Sequence, residues 1–210
     1  MRSALLVALS LLSASSVHAQ SVAPRLVVRS YNTAGLSLPI LNRAESTIGK
    51  LLRQAGIDSS WRNCRTTQGP SSHSADPCSD ILNASEVIVR IVRAPRAITD
   101  VELLGYSHVD GYRRQGTLAT VFADRVHSLA AALRMDEGTL LGRAMTHEIG
   151  HLLLGTLDHV PEGLMRGHWS KEGRAADWFF SLTQADQIRT ALAGRIDGAS
   201  PALALARSTR

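Results

Sequence analysis

The segment Thr146-His147-Glu148-Ile149-Gly150-His151 reads H-E-x-x-H and sits in an apolar run from about Thr139 to Leu154. The run has helical spacing, with Leu141, Met145, Ile149 and Leu152 at i, i+4, i+8 and i+11 as a buried face. On such a helix His147 and His151 lie about 40° apart around the axis, one turn from each other. With Ala144 they form a second face, where a metal cleft is expected. Two imidazoles so placed can bind a single zinc ion. Glu148 is placed to polarise a water beside the metal rather than to ligate it. Asp136 is a fitting N-cap, and Gly155 ends the helix.

Zinc needs a third protein ligand and one open position. Asp158 and His159 come next, just past Gly155, a residue that lets the chain turn sharply back. His159 is the first choice, because a neutral imidazole is a better zinc ligand than its neighbours. Asp158, His168 and Glu172 are alternatives, in falling order. His73, His108 and His127 read as surface or structural residues.

Outward from the motif, the chain alternates strands and helices. Arg25 to Tyr31 reads as a strand and Leu38 to Ala55 as an amphipathic helix ended by Gly56. Ile57 to Cys64 reads as a second strand. Ser85 to Val92, with its near-continuous apolar run, reads as a central strand. Leu103 to Val109 and Thr117 to Phe122 flank the turn region Asp110 to Gly116 and read as an antiparallel pair. Asp124 to Arg134 and Thr183 to Leu192 are further helices, the latter with Thr183 and Asp186 at capping-box-like positions. Trp169 and Trp178-Phe179-Phe180 read as core of the C-terminal part, with Trp169 bordering the cleft as an alternative.

The N-terminus reads as a secretory signal peptide over residues 1–19. Met1-Arg2-Ser3 is the basic region, Ala4 to Leu12 the apolar one, and Val17-His18-Ala19 the cleavage site. The apolar run is too short to span a bilayer. One domain is expected over residues 20–195, with residues 196–210 as a disordered tail. Export agrees with the two cysteines, Cys64 and Cys78, which are expected to pair in an oxidising compartment. The net charge of +5 comes from scattered basic residues without interleaved aromatics. That pattern is a solvated surface rather than a nucleic-acid footprint. Oligomeric state is not legible.

The stretch from His147 to His159, followed by Gly163-Leu164-Met165, resembles the metzincin-type zinc peptidases. Their pattern is H-E-x-x-H-x-x-G-x-x-H with a downstream methionine turn. In that pattern the glycine falls three residues after the second histidine and the third histidine six after. Here Gly155 falls four after and His159 eight after, so the connection is two residues longer. Secreted bacterial proteins that share H-E-I-G-H-L-L-L-G, a nearby histidine and G-L/I-M are similar as well. The resemblance implies an α/β, zincin-like mixed twisted sheet with packing helices, an active-site helix and a small C-terminal subdomain. It implies a secreted metalloendopeptidase with His147, His151 and His159 on Zn2+, Glu148 as general base and Met165 as a floor under the metal. The substrate would be a peptide or protein, paired along an edge strand within Leu104 to Val109. Some members place a tyrosine after the methionine turn; here no tyrosine follows Tyr112, and His168 and Arg166 are the nearest substitutes. A zinc hydrolase of a non-peptide amide and a non-catalytic exported binding protein are the rival readings.

Overall fold

The computed structural model describes residues 23–64, 78–169 and 178–199. The expected signal peptide, Glu172, His73 and residues 200–210 lie outside them. The elements run β1 (Arg25–Asn32), α1 (Leu38–Gln54), β2 (Asp58–Cys64), β3 (Glu86–Val92), β4 (Gly105–Asp110), β5 (Gln115–Phe122), α2 (Ala123–Leu133), α3 (Glu137–Leu154) and α4 (Leu182–Gly198). They build the mixed α/β architecture expected from the sequence. The sheet order is β2-β1-β3-β5-β4. β1 pairs in parallel with β2 and β3, and β3 with β5, while β4 lies antiparallel at the edge.

Strand alternation sorts the side chains. Leu26, Val28, Val87, Val89, Ile91, Ala119 and Val121 are buried in the core cluster that the helices cover. Arg29 and Glu86 are also buried, with Arg62 hydrogen-bonded to Glu86 at 3.1 Å. Arg29 donates to the Glu86 carboxylate and, at 2.7 Å, to the Asp80 carbonyl. Charges in so dry a place hold only when paired. Beside them Cys64 and Cys78 form the expected disulfide, with Cα atoms 5.7 Å apart.

α1 carries its apolar stripe, Leu41, Ala44, Ile48, Leu51 and Leu52, against the sheet and α3. Gly56 closes it in the left-handed region at φ +76, where the Ile57 N–H reaches back to the Leu52 carbonyl at 2.9 Å. α3 starts at the Asp136 cap, whose carboxylate accepts from the Thr139 N–H at 2.7 Å. It crosses α1 closely: a Cβ at Gly142 would lie 2.6 Å from the Ala44 carbonyl oxygen.

The second face of α3, with Ala144, His147 and His151, lines a cavity as expected. Burial is wider than the first face alone: between Gly138 and Leu153 every residue except Thr139 and Arg143 is buried, with Met165 and Phe180 packed against Gly150 and α4 packed on α3. α4 also differs from expectation. Its cap is Ser181, not Thr183, with Gln184 completing the capping box, and the helix runs on to Gly198. It therefore takes in the first residues of the expected tail. Ile188 and Leu192 join the same core as the sheet. Phe179, read as core, is 37% exposed. Among the described residues no helix is long and apolar enough to cross a membrane.

Candidate metal centre

α3 brings His147 and His151 to one side, and the chain beyond Gly155 returns to bring His159 opposite them. Gly155 makes the return possible at φ +68, where an L side chain is disfavoured. A Cβ there would also lie 1.9 Å from the Arg114 carbonyl oxygen. The next segment folds into a tight turn, with the Val160 N–H on the Met165 carbonyl at 3.1 Å and the Leu164 N–H on Phe179 at 2.8 Å.

Two carbonyls of this returning chain orient the histidines. His147 Nδ1 lies 2.8 Å from the Leu164 oxygen, and His151 Nδ1 lies 2.8 Å from the Thr156 oxygen. A carbonyl can only accept, so each Nδ1 carries the proton and each neutral ring presents a bare Nε2 lone pair. Those lone pairs meet. His147 Nε2 is 3.0 Å from His151 Nε2 and 3.2 Å from His159 Nε2. The Nε2 atoms of two ligands on a tetrahedral zinc ion stand about 3.3 Å apart for zinc–nitrogen bonds of roughly 2.05 Å. The donor set therefore fits zinc, and converging lone pairs repel one another unless a cation lies among them. Among the described residues this is the cluster of histidines and acids that can hold a metal.

Electrostatics point the same way. Burial, then the neighbouring His151 ring, pushes His147 down to about 3, against the raising effect of the Leu164 carbonyl. Burial lowers His151 and His159 as well. All three rings are thus held in the neutral form that ligates metal.

Glu148 lies next to the trio, 6% exposed, and burial raises its pKa to about 7. The Ser107 hydroxyl opposes that rise, at 2.7 Å from Glu148 Oε2. The site opens into a cavity of about 750 Å³ whose walls include Leu103, Leu104, Leu129, Ala144 and Trp169. Trp169 meets the His147 ring edge-on at 5.6 Å, so it borders the cleft as well as packing on Trp178. Arg125 of α2 holds one rim, donating to the Asp100 carbonyl, to Leu103 at 2.8 Å and to Ile98 at 2.6 Å.

The other sequence candidates lie elsewhere. Asp158 turns to the Thr156 hydroxyl at 2.7 Å, and His168 pairs with Glu102 at 3.2 Å across the cavity mouth. Met165 is buried against Gly150 on α3. Sequence reasoning missed Ser107, Arg125 and the two orienting carbonyls. Backbone carbonyls have no residue signature. Ser107 had one faint signal, the strand alternation that puts it on the inner face of β4.

No protein-family model matches the sequence, and no curated protein matches it. The fold is similar to that of archaemetzincin from Methanopyrus kandleri, with a TM-score of 0.53 and 13% identity over 81% of this chain and 97% of that one. It is similar too to metalloproteinase-II from Bacteroides fragilis, with a TM-score of 0.54 and 13% identity over 82% of this chain. The match covers 55% of that protein, so the chain spans about half its length. At this identity the likeness is one of fold. The fold is like that of these two proteins, and it carries a three-histidine cluster suited to a metal ion.

Proposed function

We propose that the chain is an exported zinc-dependent peptidase that hydrolyses peptide bonds within a polypeptide. The observation that carries this reading is the convergence of the His147, His151 and His159 Nε2 atoms beside the buried Glu148 carboxylate. His147, His151 and His159 would hold the metal at the wall of the cavity. A bound zinc ion supplies Lewis acidity, which polarises a carbonyl and makes water more acidic.

The remaining work falls to the chain. Glu148, with its pKa raised to about 7, takes a proton from the attacking water and returns it to the leaving nitrogen. The water oxygen joins the carbonyl carbon, the C–N bond breaks, and the products are a carboxylate and an amine. The Ser107 hydroxyl holds the other carboxyl oxygen, Oε2, at 2.7 Å, so the proton in transit is carried on Oε1. Among the described residues no strand lies beside the outer edge of β4, so an extended peptide can add there, with a side chain entering the apolar cavity. Arg166 and His168 line that cavity and are the candidates to stabilise developing negative charge.

Export is part of the proposal. It is supported by the signal-like residues 1–19 and by the Cys64–Cys78 disulfide, which belongs to an oxidising compartment. The test is metal analysis of the purified chain together with cleavage of casein, with and without a chelator. The expected result is one zinc per chain and chelator-sensitive cleavage. Glu148→Gln should keep zinc and lose turnover. Turnover by Glu148→Gln equal to that of the wild type would refute the assignment of the base.

A further inference from the structure

We propose that Ser107 is a positioning residue for Glu148, and that the inner face of the edge strand β4 is shaped to hold that carboxylate. The proposal rests on the reading of Glu148 as the base. Strand alternation puts Gly105 and Ser107 on the same inner face, toward α3, while His108 and Asp110 are exposed. Ser107 is 7% exposed and Glu148 6%, so their contact is dry. Ser107 Oγ lies 2.7 Å from Glu148 Oε2 and 2.8 Å from the carbonyl of the same residue. The single hydroxyl proton is shared between these two acceptors, and it restrains a side chain that otherwise turns about three bonds. Rotation away would leave a buried carboxylate oxygen without a partner.

Gly105 supplies the complementary feature. A Cβ there would lie 3.1 Å from Glu148 Oε1, 3.3 Å from its Cδ and 2.5 Å from the Thr120 carbonyl oxygen. Any side chain at that position would crowd the carboxylate against β5. The strand therefore offers an absent side chain to one oxygen and a hydroxyl to the other. The same strand's outer backbone is where a peptide would pair. One element then sets both the orientation of the base and the position of the bond it acts on.

The test uses the full chain loaded with zinc, casein as substrate, and Ser107→Ala and Ser107→Thr. Ser107→Ala should keep one zinc per chain and the wild-type KM, with kcat lowered on the order of 10–100-fold. Ser107→Thr, which keeps the hydroxyl, should recover most of that loss. A second readout needs no turnover. In crystals of the zinc-free protein, Ser107→Ala should leave the Glu148 carboxylate turned from its wild-type position. An unmoved carboxylate together with wild-type kcat overturns the proposal. If the wild type cleaves no casein, the functional reading fails and the carboxylate position decides: turned supports the positioning role, unmoved overturns it. If Ser107→Thr fails to fold, the two readouts on Ser107→Ala stand by themselves.

Discussion

Replacing Gly155 by alanine tests how the site is assembled. The new Cβ would stand 1.9 Å from the Arg114 carbonyl oxygen and 2.3 Å from its carbon, and the residue would keep φ near +68. The left-handed conformation costs a non-glycine residue about 1–2 kcal/mol. Forcing atoms into an occupied space costs typically about 1–3 kcal/mol, because the exposed β4–β5 turn can shift to relieve it. The expected destabilisation is therefore about 2–5 kcal/mol in urea unfolding of the zinc-free protein. At roughly 2–4 °C per kcal/mol for a chain of this size, the melting temperature should fall by about 4–20 °C. Gly155→Asn separates the two causes. Asparagine tolerates the left-handed region but keeps the Cβ, so it should recover only about 1 kcal/mol. Zinc affinity should weaken in both variants, since the Thr156 carbonyl and His159 hang on this turn. A loss below about 1 kcal/mol for Gly155→Ala would refute the reasoning, as would full recovery by asparagine.

Three further outcomes are expected. His159→Ala should weaken zinc binding by more than about 100-fold in a competitive chelator titration, beyond what loss of an outer-shell partner costs, while Asp158→Asn should leave it near the wild-type value. The acid limb of the stability curve should carry the Glu86 signature. Burial raises the Glu86 pKa, but the Arg29 hydrogen bond, the Asn83 N–H and the two guanidinium charges outweigh it and hold it below 4.5. Its contribution is then complete above pH 4.5 and lost as pH falls through the lower folded value, so Glu86→Gln should flatten unfolding free energy in that window. Reducing the Cys64–Cys78 disulfide, or replacing both cysteines by serine, should cost about 3 kcal/mol for a loop of this length, read by urea unfolding with and without reductant.

Much of this architecture was legible because it depends on local pattern. The apolar run Val87 to Val92 marked the central strand, and the 3.6-residue spacing from Leu41 to Leu52 marked α1. Asp136 and Gly155 marked both ends of α3. What could not be read depends on chain returning from a distance. α3 is buried beyond the face its spacing marks, and nothing in its own residues says that Met165 and Phe180 cover Gly150. The cap at Ser181 lay hidden behind an equally plausible threonine two residues on. His159 could be ranked first among its neighbours by chemistry, but its meeting with His147 at 3.2 Å is set by a turn whose key partners are backbone carbonyls. Ser107 is the same case: a serine in a strand carries no mark of the glutamate that packs against it.

The Arg125 guanidinium grips the cleft rim through the carbonyls of Ile98, Asp100 and Leu103 and touches none of their side chains through those bonds. A loop held by its backbone keeps its shape when its residues change. Val101, Glu102 and Leu103, which face the cavity, can therefore be exchanged without loosening the wall they belong to. The rim can change by single substitutions while the three histidines, Glu148 and the strand beneath them stay as they are.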